Sequence, residues 1–177
     1  MKQNIQCCPP PSRLRLAGNV TDASLSPRDA FPPATTRGIK GAKAAGIRYE
    51  RKAQSHLCAK YPLTYVQGPW LTYRTLGHPR PYYCQPDGLF VDFERGVVTI
   101  VEIKIKHTAT AWWQLRRLYE PVLRNLLGPD LWEFSFLEIV RWYDPHVAFP
   151  QEHSLMRDPS RLNPGAFGVH IWSGRAA

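Results

Sequence analysis

The chain has 177 residues and a formal charge of +9, from 23 Lys and Arg against 14 Asp and Glu. Hydrophobic residues make up 44% and aromatics 12%, which suits one globular domain with a real core and excludes a wholly disordered chain. No stretch approaches the roughly 18–20 apolar residues of a membrane helix, so a membrane is not an expected partner.

The charge is one-sided. Residues 1–60 hold 11 basic and 3 acidic groups, whereas residues 61–177 hold 12 and 11. Aromatics run the other way: only Phe31 and Tyr49 precede residue 61. The first third therefore carries the charge and the remainder the core. A one-sided positive field points to a polyanion, and of nucleic acid and an anionic membrane surface, nucleic acid is the expected partner. The N-terminus MKQNIQCCPPPSRLRLAGN has no apolar run of the signal-peptide kind. A cytoplasmic protein of a bacterial cell or a phage-infected host is the resulting expectation. Cys7, Cys8, Cys58 and Cys84 show no CxxC spacing and read as reduced thiols.

Residues 1–36 are rich in Pro, Ser, Thr and Ala and predict a flexible basic arm. Residues 37–177 then form a single domain. Residues 40–60 read as a helix with Ile47, Glu50, Gln54 and Leu57 on one arc. Residues 63–75 read as a strand that Gly68-Pro69 interrupts. Residues 89–94 and 97–106 predict a hairpin around Arg95-Gly96. A helix is expected over 108–127, with Pro121 as a kink or a new first turn and Gly128-Pro129 as its stop. Residues 134–143 predict an interior strand, 144–164 an irregular stretch, and 169–172 a short edge strand. The order is αβββαβ, an α/β (α+β) class with a mixed central sheet flanked by helices.

Glu102 and Lys104 interrupt the hydrophobic run of the second hairpin strand. Two apart, they share a face, and charges inside a sheet need a partner or a metal. A two-residue Arg95-Gly96 loop would set Asp87 opposite Lys104. Asp87, Glu102 and Lys104 then converge on one face, and a four-residue loop keeps that parity. Two carboxylates and a lysine suit metal-assisted phosphodiester hydrolysis: hard oxygen donors hold Mg²⁺ or Mn²⁺ against a phosphate, and the lysine meets its charge. Glu50 is the single acid in a span with seven basic residues (Arg37, Lys40, Lys43, Arg48, Arg51, Lys52 and Lys60). It reads either as a surface ion pair or as a further carboxylate of the site.

These residues resemble a known superfamily. Pro86-Asp87, then 14 intervening residues, then Glu102-Ile103-Lys104, preceded by a helical Glu50 within αβββαβ order, is similar to the PD-(D/E)xK nucleases. The resemblance covers about residues 40–143. It implies a restriction-endonuclease-like core with Asp87, Glu102 and Glu50 as metal ligands, joined by the Ile103 carbonyl. Lys104 would be the catalytic lysine, beside the carboxylates of Asp87, Glu102 and Glu50. One exonuclease branch carries a Gln and a Tyr four residues apart on the next helix. Here Gln114 is followed by Leu118, with Tyr119 one place late, so Gln114 enters as an auxiliary residue.

The expected activity is a Mg²⁺-dependent (or Mn²⁺-dependent) deoxyribonuclease selecting DNA structure or ends rather than sequence, with RNA as the other polymer. Phosphate contacts fall to Arg37, Lys40, Lys43, Arg48, Arg51, Lys52, Lys106, Arg116 and Arg117. A homodimer follows by analogy with junction-cutting relatives. His107, Trp112, Trp113, Tyr82 and Tyr83 read as structural before functional. Two rivals remain: a non-catalytic nucleic-acid-binding protein with the same fold, and an interaction or inhibitor protein that docks on an acidic partner.

Overall fold

The computed structural model describes residues 16–26 and 40–174. Strand β1 (Val20–Leu25) precedes helix α1 (Gly41–Lys60). Strands β2 (Tyr65–Gln67), β3 (Leu71–Thr75), β4 (His78–Cys84), β5 (Gly88–Asp92) and β6 (Val97–Lys106) follow. A helical segment comes next: α2 (Ala109–Gln114), a π-helical turn (Leu115–Tyr119) and α3 (Glu120–Leu127). Strands β7 (Glu133–Trp142), β8 (Ser154–Met156) and β9 (Phe167–Ile171) complete the chain.

Two sheets result. The main one has six strands in the order β2-β5-β6-β7-β9-β8, and a smaller one has the order β1-β3-β4. β6, β7, β9 and β8 run parallel, while β5 is antiparallel to both of its neighbours, β2 and β6. The alternation of β6 and β7 splits the core between the faces of the main sheet. Val98, Ile100, Phe136 and Val140 pack toward Leu115, Val122 and Leu123 of the α2–α3 segment. Val101, Ile103, Leu137 and Ile139 pack toward Tyr49, Ala53 and Leu57 of α1. Strands apolar on both faces are what a sheet covered on both sides requires.

Four sequence expectations change. The strand expected over 63–75 is two strands in different sheets, β2 and β3, because the Gly68-Pro69 break redirects the chain. Within the predicted arm, residues 20–25 form a strand on β3 rather than loose chain; residues 1–15 and 27–36 lie outside the described residues. The expected edge strand near 169–172 is β9, an interior strand, since β8 covers its outer side. The hairpin loop has four residues rather than two: Asp92 pairs with Val97, the Asp92 carboxylate accepts from Arg95 N (3.1 Å), and Gly96 takes φ +62°.

Pro121 lies in the first turn of α3. Having no N–H, it leaves the Arg117 carbonyl without its usual helical donor. The backbone N–H of Ala17 donates to that oxygen at 2.8 Å, which ties the chain ahead of β1 to the helix. Among the described residues, no helix is long and apolar enough to cross a membrane.

Candidate active site

β5 and β6 pair down to Gly88 opposite Val101. One step further, Asp87 lies across from Glu102 rather than Lys104. The four-residue loop moves the register by two and leaves the facing unchanged. β5 ends at Gly88, so Ile103 N–H has no strand partner on that side. The Asp87 carboxylate takes it: Ile103 N donates to Oδ2 at 2.6 Å. The Asp87 carbonyl is held as firmly, accepting from Gln54 Nε2 (3.0 Å), Gly68 N (3.1 Å) and the Tyr65 hydroxyl (3.2 Å). Gln67 Nε2 donates to Gln54 Oε1 behind it (3.2 Å). Neither glycine nearby admits a side chain. A Cβ on Gly68 would overlap the Pro86 carbonyl, and one on Gly88 would overlap the Tyr65 ring.

Glu102 is 2% exposed and forms an ion pair with the Lys104 ammonium. Its second oxygen, Oε2, is buried without a hydrogen-bond partner. Burial pushes the Glu102 carboxyl up, against the pull of Lys104 and the nearby Tyr119 and Gln114 side chains. Burial raises Asp87 well above the usual carboxylate range, and the charges of Glu102 and Glu50 add to it. Half-buried Glu50 rises for the same two reasons, burial and then Glu102. These three acids therefore feel one another. Burial opposes the Lys104 charge, yet Glu102 outweighs it, and the lysine rises above its ordinary value as a held cation.

The helical segment adds two side chains. Gln114 closes α2 and Tyr119 closes the π turn, and Gln114 Nε2 donates to the Tyr119 hydroxyl at 3.3 Å. A π turn admits one residue more than an α turn, so Tyr119, five positions after Gln114, comes within hydrogen-bond reach of it. Tyr119 was absent from the sequence-derived site for that reason. Gln54 and Tyr65 were absent because they act through backbone, which residue type does not reveal.

The basic residues divide. Lys40 stands at the N-cap position of α1 with no side-chain capping bond, and Lys43, Arg48, Arg51 and Lys52 are exposed along the helix. Lys106 is exposed at the end of β6. A groove of about 450 Å³ lined by Lys43, Ile47, Glu50, Ile103, Lys104 and Lys106 joins α1 to that strand end. Arg117 is exposed. Arg116 is instead committed to Glu120 (2.9 Å) and lies over the Phe136 ring. Arg37 lies outside the described residues.

His107 is structural. Its Nδ1 meets Glu138, which is 0% exposed, and Glu138 Oε1 accepts from Thr108 N at 3.1 Å. The pair pins the β6–α2 corner. Trp112 donates to Gln151 (3.1 Å) and packs edge-on against Trp113.

Among the described residues, no three His, Cys, Asp or Glu side chains stand in metal-holding geometry. The donor set nevertheless fits one divalent cation of the Mg²⁺ kind, which commonly takes only one or two protein carboxylates and keeps several waters. Asp87 and Glu102 are hard oxygen donors, and the orphaned Glu102 Oε2 is the atom such a cation would satisfy. Comparisons with protein-family models, curated proteins and solved structures find no match for the chain.

Proposed function

We propose that the chain is a metal-dependent nuclease of the PD-(D/E)xK kind, hydrolysing DNA phosphodiester bonds by structure or ends rather than by sequence. The observation that carries the reading is buried Glu102, ion-paired to half-buried Lys104 beside Asp87, with a carboxylate oxygen left unpartnered. A protein that needed only a stable sheet would gain as much from apolar residues there. The order of α1, the strands β2, β5 and β6, the α2–α3 segment and β7 supports this reading, because the resemblance implies an αβββαβ core.

A bound Mg²⁺ would supply an activated water and charge stabilisation at phosphorus. Asp87 and Glu102 would hold it, with Glu50 and the Ile103 carbonyl as further oxygen donors. Lys104 acts as a cation: held charged by Glu102, it faces the charge that builds on the phosphoryl oxygens. Gln114 and Tyr119 orient Glu102. Lys40, Lys43, Arg48, Arg51, Lys52 and Lys106 grip phosphates without reading bases. The test incubates supercoiled, linear, single-stranded and branched DNA with Mg²⁺, Mn²⁺ or EDTA. Cleavage that needs the cation and is lost in Asp87→Ala is the expected result.

The spacing of the carboxylates, with no three in metal-holding geometry among the described residues, favours one second reading. In it the chain binds nucleic acid through the same face without cutting. It differs by giving salt-sensitive binding and no cleavage under any cation.

A further inference from the structure

The C-terminal ends of parallel strands are where open α/β sheets take their ligands. Here those ends carry Lys104 and Lys106 on β6 and Trp142 on β7. Lys106 pairs directly with Trp142, and Lys104 with Val140. Paired residues on parallel strands share a face, so Trp142 stands on the Glu102–Lys104 face. Strand spacing and rise put its Cα about 8 Å from that of Lys104. Trp142 is 58% exposed, although it closes a strand that is buried from Phe134 to Val140. The Arg141 guanidinium lies 5.3 Å from its ring centroid. A large exposed indole with a guanidinium at its ring and a lysine at the paired strand position, beside a phosphate-directed lysine, has the makeup of a single-strand binding surface: aromatic stacking for bases and positive charge for backbone. Lys106 also lines the groove shared with Lys43 and Ile47, so the cationic track continues past the site toward α1.

We propose that Trp142 stacks an unpaired base of single-stranded DNA next to the Lys104 site, with Lys106 and Arg141 on the flanking phosphates. A paired base inside a duplex has no free face to offer the ring. The inference rests on the nuclease reading for what is done to the strand, and it narrows the substrate to single strands or single-stranded arms.

Binding of the full chain in EDTA tests it without any cleavage step. Fluorescence anisotropy is read on a labelled 12-nucleotide oligothymidylate, on an abasic strand of equal length, and on a blunt hairpin duplex. Trp142→Ala should weaken oligothymidylate binding by roughly 5- to 150-fold, the worth of one stacked base. Trp142→Phe should retain most of the affinity. The abasic strand and the duplex should bind both variants and the original protein alike. Equal oligothymidylate affinity in Trp142→Ala, or an equal loss on the abasic strand, overturns the inference. So does failure of the original protein to bind single strands. The nuclease reading falls separately, if Mg²⁺ produces no cleavage of any strand.

Discussion

Gln114 and Tyr119 are five residues apart and share a hydrogen bond of 3.3 Å across a π-helical turn. An α-helix would bring positions three or four apart together. The π turn over Leu115–Tyr119 absorbs one residue and delivers both side chains to Glu102. Such turns cost helical regularity and occur often at functional sites. Tyr119→Phe removes the hydroxyl and keeps the ring. It should leave Gln114, whose Oε1 is already buried without a partner, short of a second contact. About 1–3 kcal/mol of stability should be lost, with a larger proportional loss of cleavage rate. Denaturant titration read beside single-turnover kinetics separates the two effects.

The acids of the site set a pH dependence. Asp87, Glu50 and Glu102 are all raised in the folded protein, chiefly by burial. Between the unfolded value of about 4 and the raised folded values, the native state binds more protons than the unfolded one. Stability therefore falls as pH rises through that window. In metal-free buffer the Tm should drop across it, and Asp87→Asn should flatten the slope. Added Mg²⁺ should raise Tm most at the upper end, where the carboxylates are ionised. A metal-free slope unchanged by Asp87→Asn would contradict the assignment of that dependence to the site.

Gly68 is a packing constraint on the Pro86-Asp87 turn. A Cβ there meets backbone of Pro86 rather than a flexible side chain. Gly68→Ala should cost about 1–3 kcal/mol and displace Asp87, whose carbonyl accepts from Gly68 N. Activity should fall further than in Gly46→Ala, where nothing lies within 4 Å of the added carbon. Paired thermal melts and cleavage rates decide it.

How much of this was legible in the sequence follows from which forces act locally. α1 was readable from its run of good helix formers, although Tyr49 and Ala53 rather than Ile47 are buried on it, and the β5–β6 hairpin and β7 were readable because their apolar runs match their burial. The Asp87–Glu102–Lys104 convergence was readable because strand parity survives a register shift of two. The loop length itself was not, because the Asp92 side chain closes a wider turn than Arg95-Gly96 suggests. β4 was missed because Pro79 and Pro81 lower strand propensity. An edge strand tolerates them where no ladder N–H is needed. β1 was hidden in a proline-rich, polar segment, since its partner β3 comes from far along the chain. Glu138 gave no signal at all. Its burial depends on His107, 31 positions away, and sequence proximity does not link them.

The basic face should show in salt dependence. Lys43 on α1 and Lys106 at the end of β6 are exposed and line the same groove. Each Lys→Ala change there should lower the slope of log K against log salt by about 0.7 on single strands. Preference among sequences should stay unchanged, because phosphate contacts carry no base information. Binding titrations at several NaCl concentrations supply the slopes.

The central claim is that Lys104 serves phosphodiester cleavage. Single-turnover cleavage of a 5′-labelled single strand with Mg²⁺, measured for the original protein and for Lys104→Ala at saturating protein, tests it most directly. The account predicts cation-dependent products from the original protein and none above background from Lys104→Ala, with DNA binding retained within a few-fold. Equal cleavage by the two, or no cleavage by the original protein on single-stranded, branched or duplex DNA, would contradict it.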